Sequence, residues 1–147
     1  MLSVIVEAGN EGERLPAVLA ALTSAAVEGL VREAAIAGGG PPELLSVLRE
    51  ETGAELAASV GEAVTAARGD LLLVIGADFR PRLGWIEALQ AHFRDGGREA
   101  LVTGEGDGWL RRAPFGVLIA RTKAAGLIHP DLQRLRRALG RGAPRIG

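Results

Sequence analysis

The chain has no cysteine and no tyrosine, and only three phenylalanines and two tryptophans among its 147 residues. Without cysteine, disulfides, thiolate metal sites and cysteine-based catalysis are all excluded, and we expect a reducing compartment such as the cytoplasm. No apolar stretch reaches the about 18 uncharged residues that a membrane-spanning helix needs. Residues 1–6 lack the basic region of a signal peptide and are typical of a strand instead.

Alanine, leucine and glycine take the place of the missing aromatics, and 48% of the residues are hydrophobic. That fraction is enough for a sizeable core, and the small side chains favour helices packed closely on a sheet. The length matches one domain of usual size. We therefore predict a single domain over residues 1–147, with a basic terminal helix and tail over 131–147.

The net charge of −1 conceals an uneven distribution. Residues 1–70 carry 11 acidic and 4 basic side chains, whereas residues 71–147 carry 7 acidic and 13 basic ones. Five arginines and no acid follow Asp131. This pattern indicates an anionic partner, such as an anionic membrane surface, for Arg134, Arg136, Arg137 and Arg141; a solvated helix face with a tail is the simpler interpretation. We expect no nucleic-acid partner.

Apolar runs alternate with amphipathic segments along the chain. The patterns predict strands at 2–6, 31–37, 54–58, 71–75, 100–103 and 115–120, with helices after 15, around 44–48 and at 60–68, 83–94 and 131–140. Ser59 and Glu62 have the spacing of a capping box, and residues from Gly140 onward are expected to fray. The repeated alternation predicts a three-layer, Rossmann-like α/β/α sandwich with a mostly parallel sheet.

One ten-residue segment, 69–78, carries the most chemical information. An apolar run follows Gly69-Asp70 and leads to Asp78 at the expected C-terminal edge of the sheet, where open α/β sheets bind ligands. A carboxylate there can hold a divalent cation against a phosphate. The alternative is that Asp78 closes an Asx turn before Pro81.

Several segments, in the same order, resemble the family 2 glycosyltransferases, whose nucleotide-binding half is a GT-A fold. Covering residues 2–93 well and 115–131 loosely, they are Ser3-Val4-Ile5-Val6, Asn10-Glu11, Arg14-Leu15-Pro16, Ile36-Ala37-Gly38-Gly39-Gly40, Ala67-Arg68-Gly69-Asp70 with the run to Asp78, and Gly84-Trp85-Ile86. The resemblance implies sugar transfer from a nucleotide diphosphate sugar with Mg²⁺ or Mn²⁺. It implies nucleotide contacts among Glu7, Asn10, Arg14, Gly38, Gly39 and Asp78, with Asp78 also the metal ligand.

Some positions that bind ligands or catalyse the reaction in the family carry other residues in this chain. Gly38 stands where the family has an aspartate for the base and ribose, and Gly76 replaces the first acid of its Asp-x-Asp metal motif. The family often places a Glu-Asp pair for the catalytic base where this chain has arginines, and Asp131 is the nearest acid. A catalytically inactive binding or assembly module with the same fold is therefore the alternative hypothesis.

Other interpretations of these residues stay open. The segment 7–15 also resembles the glycine-rich loop of sugar-phosphate nucleotidyltransferases, through Gly9, Gly12 and Arg14. Asn10 fits a helix cap and Glu7 a solvated edge. Gly38-Gly39-Gly40 can admit a phosphate or simply form a turn. Two basic residues beside Trp109, Arg111 and Arg112, fit either a phosphate contact or a surface loop.

Overall fold

The computed structural model describes residues 2–106 and 113–147. Strands and helices alternate through most of this range. The strands are Leu2–Gly9 (β1), Val31–Gly38 (β2), Glu55–Ala57 (β3), Leu71–Gly76 (β4), Ala100–Thr103 (β5), Phe115–Ala120 (β6) and Arg145–Ile146 (β7). The helices are Leu15–Val27 (α1), Pro42–Thr52 (α2), Val60–Ala66 (α3), Trp85–Arg94 (α4), Arg121–Ala125 (α5) and Leu132–Leu139 (α6), and a 3₁₀ turn, Gly12–Arg14, precedes α1.

All seven described strands form one sheet in the order β3-β2-β1-β4-β6-β5-β7. β6 runs antiparallel to β4 and β5, and the other neighbouring pairs are parallel, so the prediction of a mostly parallel sheet is confirmed. The chain moves outward from β1 to β3 and then returns to place β4 on the other side of β1. The gap between the ends of β1 and β4 is therefore a topological switch point, where α/β sheets bind ligands.

Helices cover both faces of the sheet, as predicted. Side chains from α1, α2 and α4 pack with one face, and side chains from α3, α5 and α6 pack with the other. All six residues of β4 are buried, and alternate residues of this strand belong to opposite faces. A strand covered on both sides needs apolar residues throughout, which explains the continuous run that the sequence shows.

A polar network closes the N-terminal edge of the three central strands. Ser3 Oγ donates to Glu33 Oε2 at 2.7 Å and accepts from Gly69 N at 2.9 Å, while Arg68 N donates to the same Glu33 oxygen at 2.8 Å. Partial burial raises the pKa of Glu33, but these hydrogen bonds and the charges of Arg68 and Arg32 together bring it below its usual value. β1, β2 and the entry to β4 are thus joined by one carboxylate.

The structure confirms one local prediction, adds one helix and contradicts another prediction. Ser59 Oγ does accept from Glu62 N, at 3.1 Å, although α3 ends at Ala66. The short helix α5 was not predicted. The prediction of fraying after Gly140 is wrong, because Gly140 turns the chain with a φ of +80° and Pro144 O accepts from Leu101 N at 2.8 Å, which leads into β7. None of the described helices has the length and hydropathy to cross a membrane.

Candidate functional site

The C-terminal ends of β1, β2 and β4 meet at one edge of the sheet. Glu7 of β1 is in register with Gly76 of β4, and Gly9 of β1 is in register with Gly38 of β2. The sequence predicted that these positions would lie together, and the strand pairing brings them together. We call this edge, with Asp78 just beyond it, the switch edge.

Asp78 is displayed on a tight turn at the switch edge. Phe79 N donates to Gly76 O at 3.1 Å, and the Phe79 ring is buried, which anchors the turn to the core. The Arg80 guanidinium donates to Ala77 O and Phe79 O at 3.0 and 2.8 Å. The Asp78 side chain is exposed and accepts no hydrogen bond from the described residues, so it does not close an Asx turn. Its carboxylate is free to bind a ligand.

Gly76 leaves room that the Asp78 carboxylate occupies. A Cβ placed on Gly76 would lie 2.6 Å from Asp78 Oδ1 and 3.9 Å from Leu132 Cδ2. The Asp78 carboxylate therefore covers the position from which a side chain at residue 76 would project. The contacting atom is the end of a flexible side chain, so a Cβ at Gly76 requires only that Asp78 rotate away.

The fit of a divalent cation to these residues is partial. No group of three or more potential ligands among His, Asp and Glu side chains is placed to hold a metal within residues 2–106 and 113–147. A single aspartate nevertheless offers the hard oxygen that Mg²⁺ and Mn²⁺ prefer, and Mg²⁺ sites often combine one or two carboxylates with substrate phosphates. The described residues alone do not build a metal site, whereas a site completed by a diphosphate fits.

The other two acids of the candidate site are engaged at the start of α6. Glu7 Oε2 accepts from Leu132 N at 2.8 Å, and Asp131 Oδ1 accepts from Arg134 N at 2.8 Å as the N-cap of the helix. Asp131 Oδ2 also lies 3.9 Å from Arg134 Nε. Both carboxylates supply acceptors for the unpaired N–H groups of a helix start. The contact between Glu7 and Leu132 spans 125 residues, and no local pattern could have revealed it.

Glycines let the first two loops of the switch edge touch. A Cβ on Gly39 would lie 2.7 Å from Ala8 Cβ, and a Cβ on Gly12 would clash with Gly39 O. Gly9, Gly38 and Gly39 have positive φ values of +54°, +76° and +109°. The glycine triplet therefore forms a turn packed against the first loop, and an aspartate at Gly38 would need a left-handed backbone.

Asn10 and Arg14 lie exposed on the first loop. The N-cap of the 3₁₀ turn is Glu11 and that of α1 is Arg14, and neither of these side chains makes a capping hydrogen bond. The interpretation of Asn10 as a helix cap is therefore wrong, and both side chains stay candidates for nucleotide contact. The candidates Trp109, Arg111 and Arg112 lie outside the described residues.

The arginines after Asp131 divide into two groups. Arg134 is engaged locally, because its guanidinium donates to Ile128 O and His129 O in addition to facing Asp131. Arg136, Arg137 and Arg141 line a cleft that Arg145 also enters. Arg145 is one of the five arginines that the sequence shows after Asp131, but its position in this cleft was not predicted, because it depends on the pairing of β7 with β5.

Comparison with known proteins gives fold relatives but no close sequence relative. No family model matches the chain, and no curated protein matches it significantly. Glucosyl-3-phosphoglycerate synthase from Mycobacterium tuberculosis, solved with Mn²⁺, UDP and glucosyl-3-phosphoglycerate, aligns over 86% of this chain with a TM-score of 0.60 and 17% identity. Mannosyl-3-phosphoglycerate synthase from Rubrobacter xylanophilus aligns over 84% with a TM-score of 0.60 and 14% identity.

The fold is that of the GT-A glycosyltransferases. This agrees with the resemblance noted in the sequence, and at these identities the likeness establishes the fold alone. The chain spans 59% and 55% of the length of the two solved proteins. The M. tuberculosis enzyme has been solved with Mn²⁺ and UDP-glucose, so that neighbour combines a divalent cation with a nucleotide sugar.

Proposed function

We propose that this protein binds a nucleotide diphosphate sugar at the switch edge and transfers the sugar, in the manner of a family 2 glycosyltransferase. The observation that carries the proposal is the exposed Asp78 carboxylate at the topological switch point of a GT-A fold, which accepts no hydrogen bond from the part of the chain that the structure describes. Neighbours of the same fold are a glucosyl- and a mannosyl-3-phosphoglycerate synthase, and the first has been solved with UDP-glucose, which supports this choice of ligand class. None of the solved structures named here is a nucleotidyltransferase.

In this proposal Asp78 rotates off Gly76 and offers one carboxylate oxygen to Mg²⁺ or Mn²⁺. The cation, bound between Asp78 and the diphosphate, would offset the charge that develops on the leaving nucleotide. Asn10 and Arg14, exposed on the first loop, are the proposed contacts to the nucleotide, and an arginine can pair with its phosphates. The backbone of the Gly38-Gly39 turn is the proposed wall of the nucleotide site on the β2 side.

Asp131 is the proposed base for the acceptor hydroxyl. Its Oδ1 is committed to capping α6, but the side chain is about half exposed and Oδ2 has Arg134 as its neighbour. Asp131→Asn preserves the cap, because asparagine is equally favourable there, and removes the base. We expect this variant to lose turnover without loss of nucleotide affinity.

Calorimetric titration with UDP and with GDP, in the presence and absence of Mn²⁺, tests the binding step. We expect binding that depends on Mn²⁺ and that Asp78→Asn abolishes. Glu7→Gln is the matched control, since it also converts a carboxylate at the same edge to an amide but removes no proposed metal ligand. Failure of both nucleotides to bind at millimolar concentration would contradict the proposal.

A non-catalytic module is the second candidate, and the engagement of Glu7 and Asp131 at α6 favours it. Of the three candidate acids Glu7, Asp78 and Asp131, Asp78 is then the one whose carboxylate accepts no hydrogen bond from the described residues. Release of free UDP from UDP-glucose, measured with candidate acceptors, separates the two. Nucleotide binding without any sugar release would favour the module.

A further inference from the structure

The cleft between α6 and β7 is the second feature with chemical character. It has a volume of about 650 Å³, and its lining includes Gln133 and four arginines: Arg136, Arg137, Arg141 and Arg145. Among the described residues, no acid lines it, and none of these arginines forms a salt bridge with a carboxylate. Four cations around one concavity repel each other, and a bound anion removes that cost.

The fold builds this cleft from α6 and from the segment that follows it to β7. Arg136 and Arg137 belong to the last turn of α6, where basic side chains favour the helix dipole. Arg141 and Arg145 belong to no helix, so the dipole does not explain them. Gly140 N donates to Arg137 O at 3.1 Å, and the positive φ of Gly140 returns the chain beside the helix toward β7.

One arginine of the cleft is held in place before any ligand arrives. The Arg136 guanidinium carbon lies 4.5 Å from the centroid of the Phe115 ring. Stacking of this kind fixes the plane of the guanidinium and leaves its N–H edge free for a bidentate contact with an oxyanion. Phe115 begins β6, and the next residue, Gly116, pairs with Ile75 near the switch edge.

We propose that this cleft is a binding site for a phosphate monoester, separate from the nucleotide position. A planar guanidinium can donate two N–H groups to two oxygens of one phosphate. Gln133 adds a neutral hydrogen-bonding group for the alcohol part of the ester. The volume accommodates a phosphorylated molecule of sugar size. The inference does not depend on the proposed transferase activity, because it concerns binding in the absence of nucleotide.

Titration of the full chain with glucose 6-phosphate, with glucose as the uncharged control, tests the site. We expect the phosphate ester to bind, glucose not to bind, and the affinity to fall with added salt. Arg137→Gln with Arg141→Gln should weaken binding by at least about tenfold, since each removes a charge-assisted contact. Both side chains are exposed, so we expect the double variant to fold, which an unchanged circular dichroism spectrum would show.

Arg94→Gln with Arg98→Gln is the matched control, because it removes the same charge from exposed arginines of the segment around α4, on the opposite face of the sheet. Equal weakening by both double variants, or no binding of glucose 6-phosphate or phosphatidic acid at millimolar concentration, would overturn the proposal. Sedimentation with vesicles of phosphatidylcholine, with and without phosphatidic acid, identifies the source of the phosphate. Binding to phosphatidic acid vesicles alone, lost in the cleft variant and kept in the control, supports the site with a lipid headgroup as its ligand.

Discussion

The two edges of the central strands differ in how their polar groups are used. At the N-terminal edge, Ser3, Glu33 and the backbone before β4 satisfy one another in a closed network. At the switch edge, Asp78 accepts no hydrogen bond from the described residues, and Gly38 and Gly76 offer no side chain. The contrast indicates that polar groups at the N-terminal edge hold the strands together, while the switch edge leaves the Asp78 carboxylate open to a ligand.

The largest effect is expected where the loops of the switch edge touch. Gly12→Ala would drive a methyl group against Gly39 O, which is backbone and cannot rotate away. We expect the free energy of unfolding to fall by about 3 kcal/mol, the upper end for overpacking. Chemical denaturation measures it, and Gly142→Ala is the control because no atom lies near its Cβ position. Equal stability of the two variants would show that the loops do not touch.

Disrupting the network at the N-terminal edge should lower the free energy of unfolding somewhat less. Ser3→Ala removes a buried hydroxyl, leaving Gly69 N without its acceptor and Glu33 without one donor. We expect a loss of about 2 kcal/mol in the free energy of unfolding, measured by urea denaturation. Ser24→Ala, on the exposed side of α1, should leave stability nearly unchanged. A similar small effect at Ser3 would contradict the closed network.

The Glu33 carboxylate at the N-terminal edge should also make stability depend on pH, with a smaller effect. The pKa of Glu33 lies below its unfolded value, so its contribution is complete above the ordinary pKa of 4.5 and is lost as the pH falls through the folded value. Glu33→Gln should cost about 1 kcal/mol at neutral pH and progressively less in acid. Thermal unfolding of both proteins from neutral pH to acid would show this, and parallel curves would contradict it.

The smallest effects on stability distinguish the two glycines of the switch edge, Gly38 and Gly76. In the presence of Mn²⁺ and UDP, Gly76→Asp should be nearly neutral, because the Asp78 carboxylate can move and the cation offsets the repulsion between the two acids, and the variant should bind Mn²⁺ more strongly. Gly38→Asp should cost about 1 kcal/mol, because it forces a left-handed backbone on an aspartate. Thermal unfolding and metal titration of the two variants test this. The reverse order of stability would contradict both the left-handed backbone at Gly38 and the available space at Gly76.

Local patterns predicted much of the fold. The apolar run of β4, the cap at Ser59 and the strands 100–103 and 115–120 all follow from short stretches of sequence, and the structure confirms them. β7 was missed because two residues carry no periodicity and depend on pairing with β5. The candidate site was predicted as a set of strand ends, but the partners of Glu7 and the cleft around Arg145 arise from contacts between segments far apart in the chain.

The central claim is that, of the three candidate acids Glu7, Asp78 and Asp131, Asp78 is the one that the described residues leave available to a metal bound with a nucleotide diphosphate. Electron paramagnetic resonance of Mn²⁺, titrated with the protein in the presence of UDP, measures this directly, because bound Mn²⁺ loses the sharp signal of the free ion. We predict that the native protein and Glu7→Gln bind Mn²⁺ only when UDP is present, and that Asp78→Asn does not. Equal binding by Asp78→Asn, or no binding by the native protein, would contradict the account.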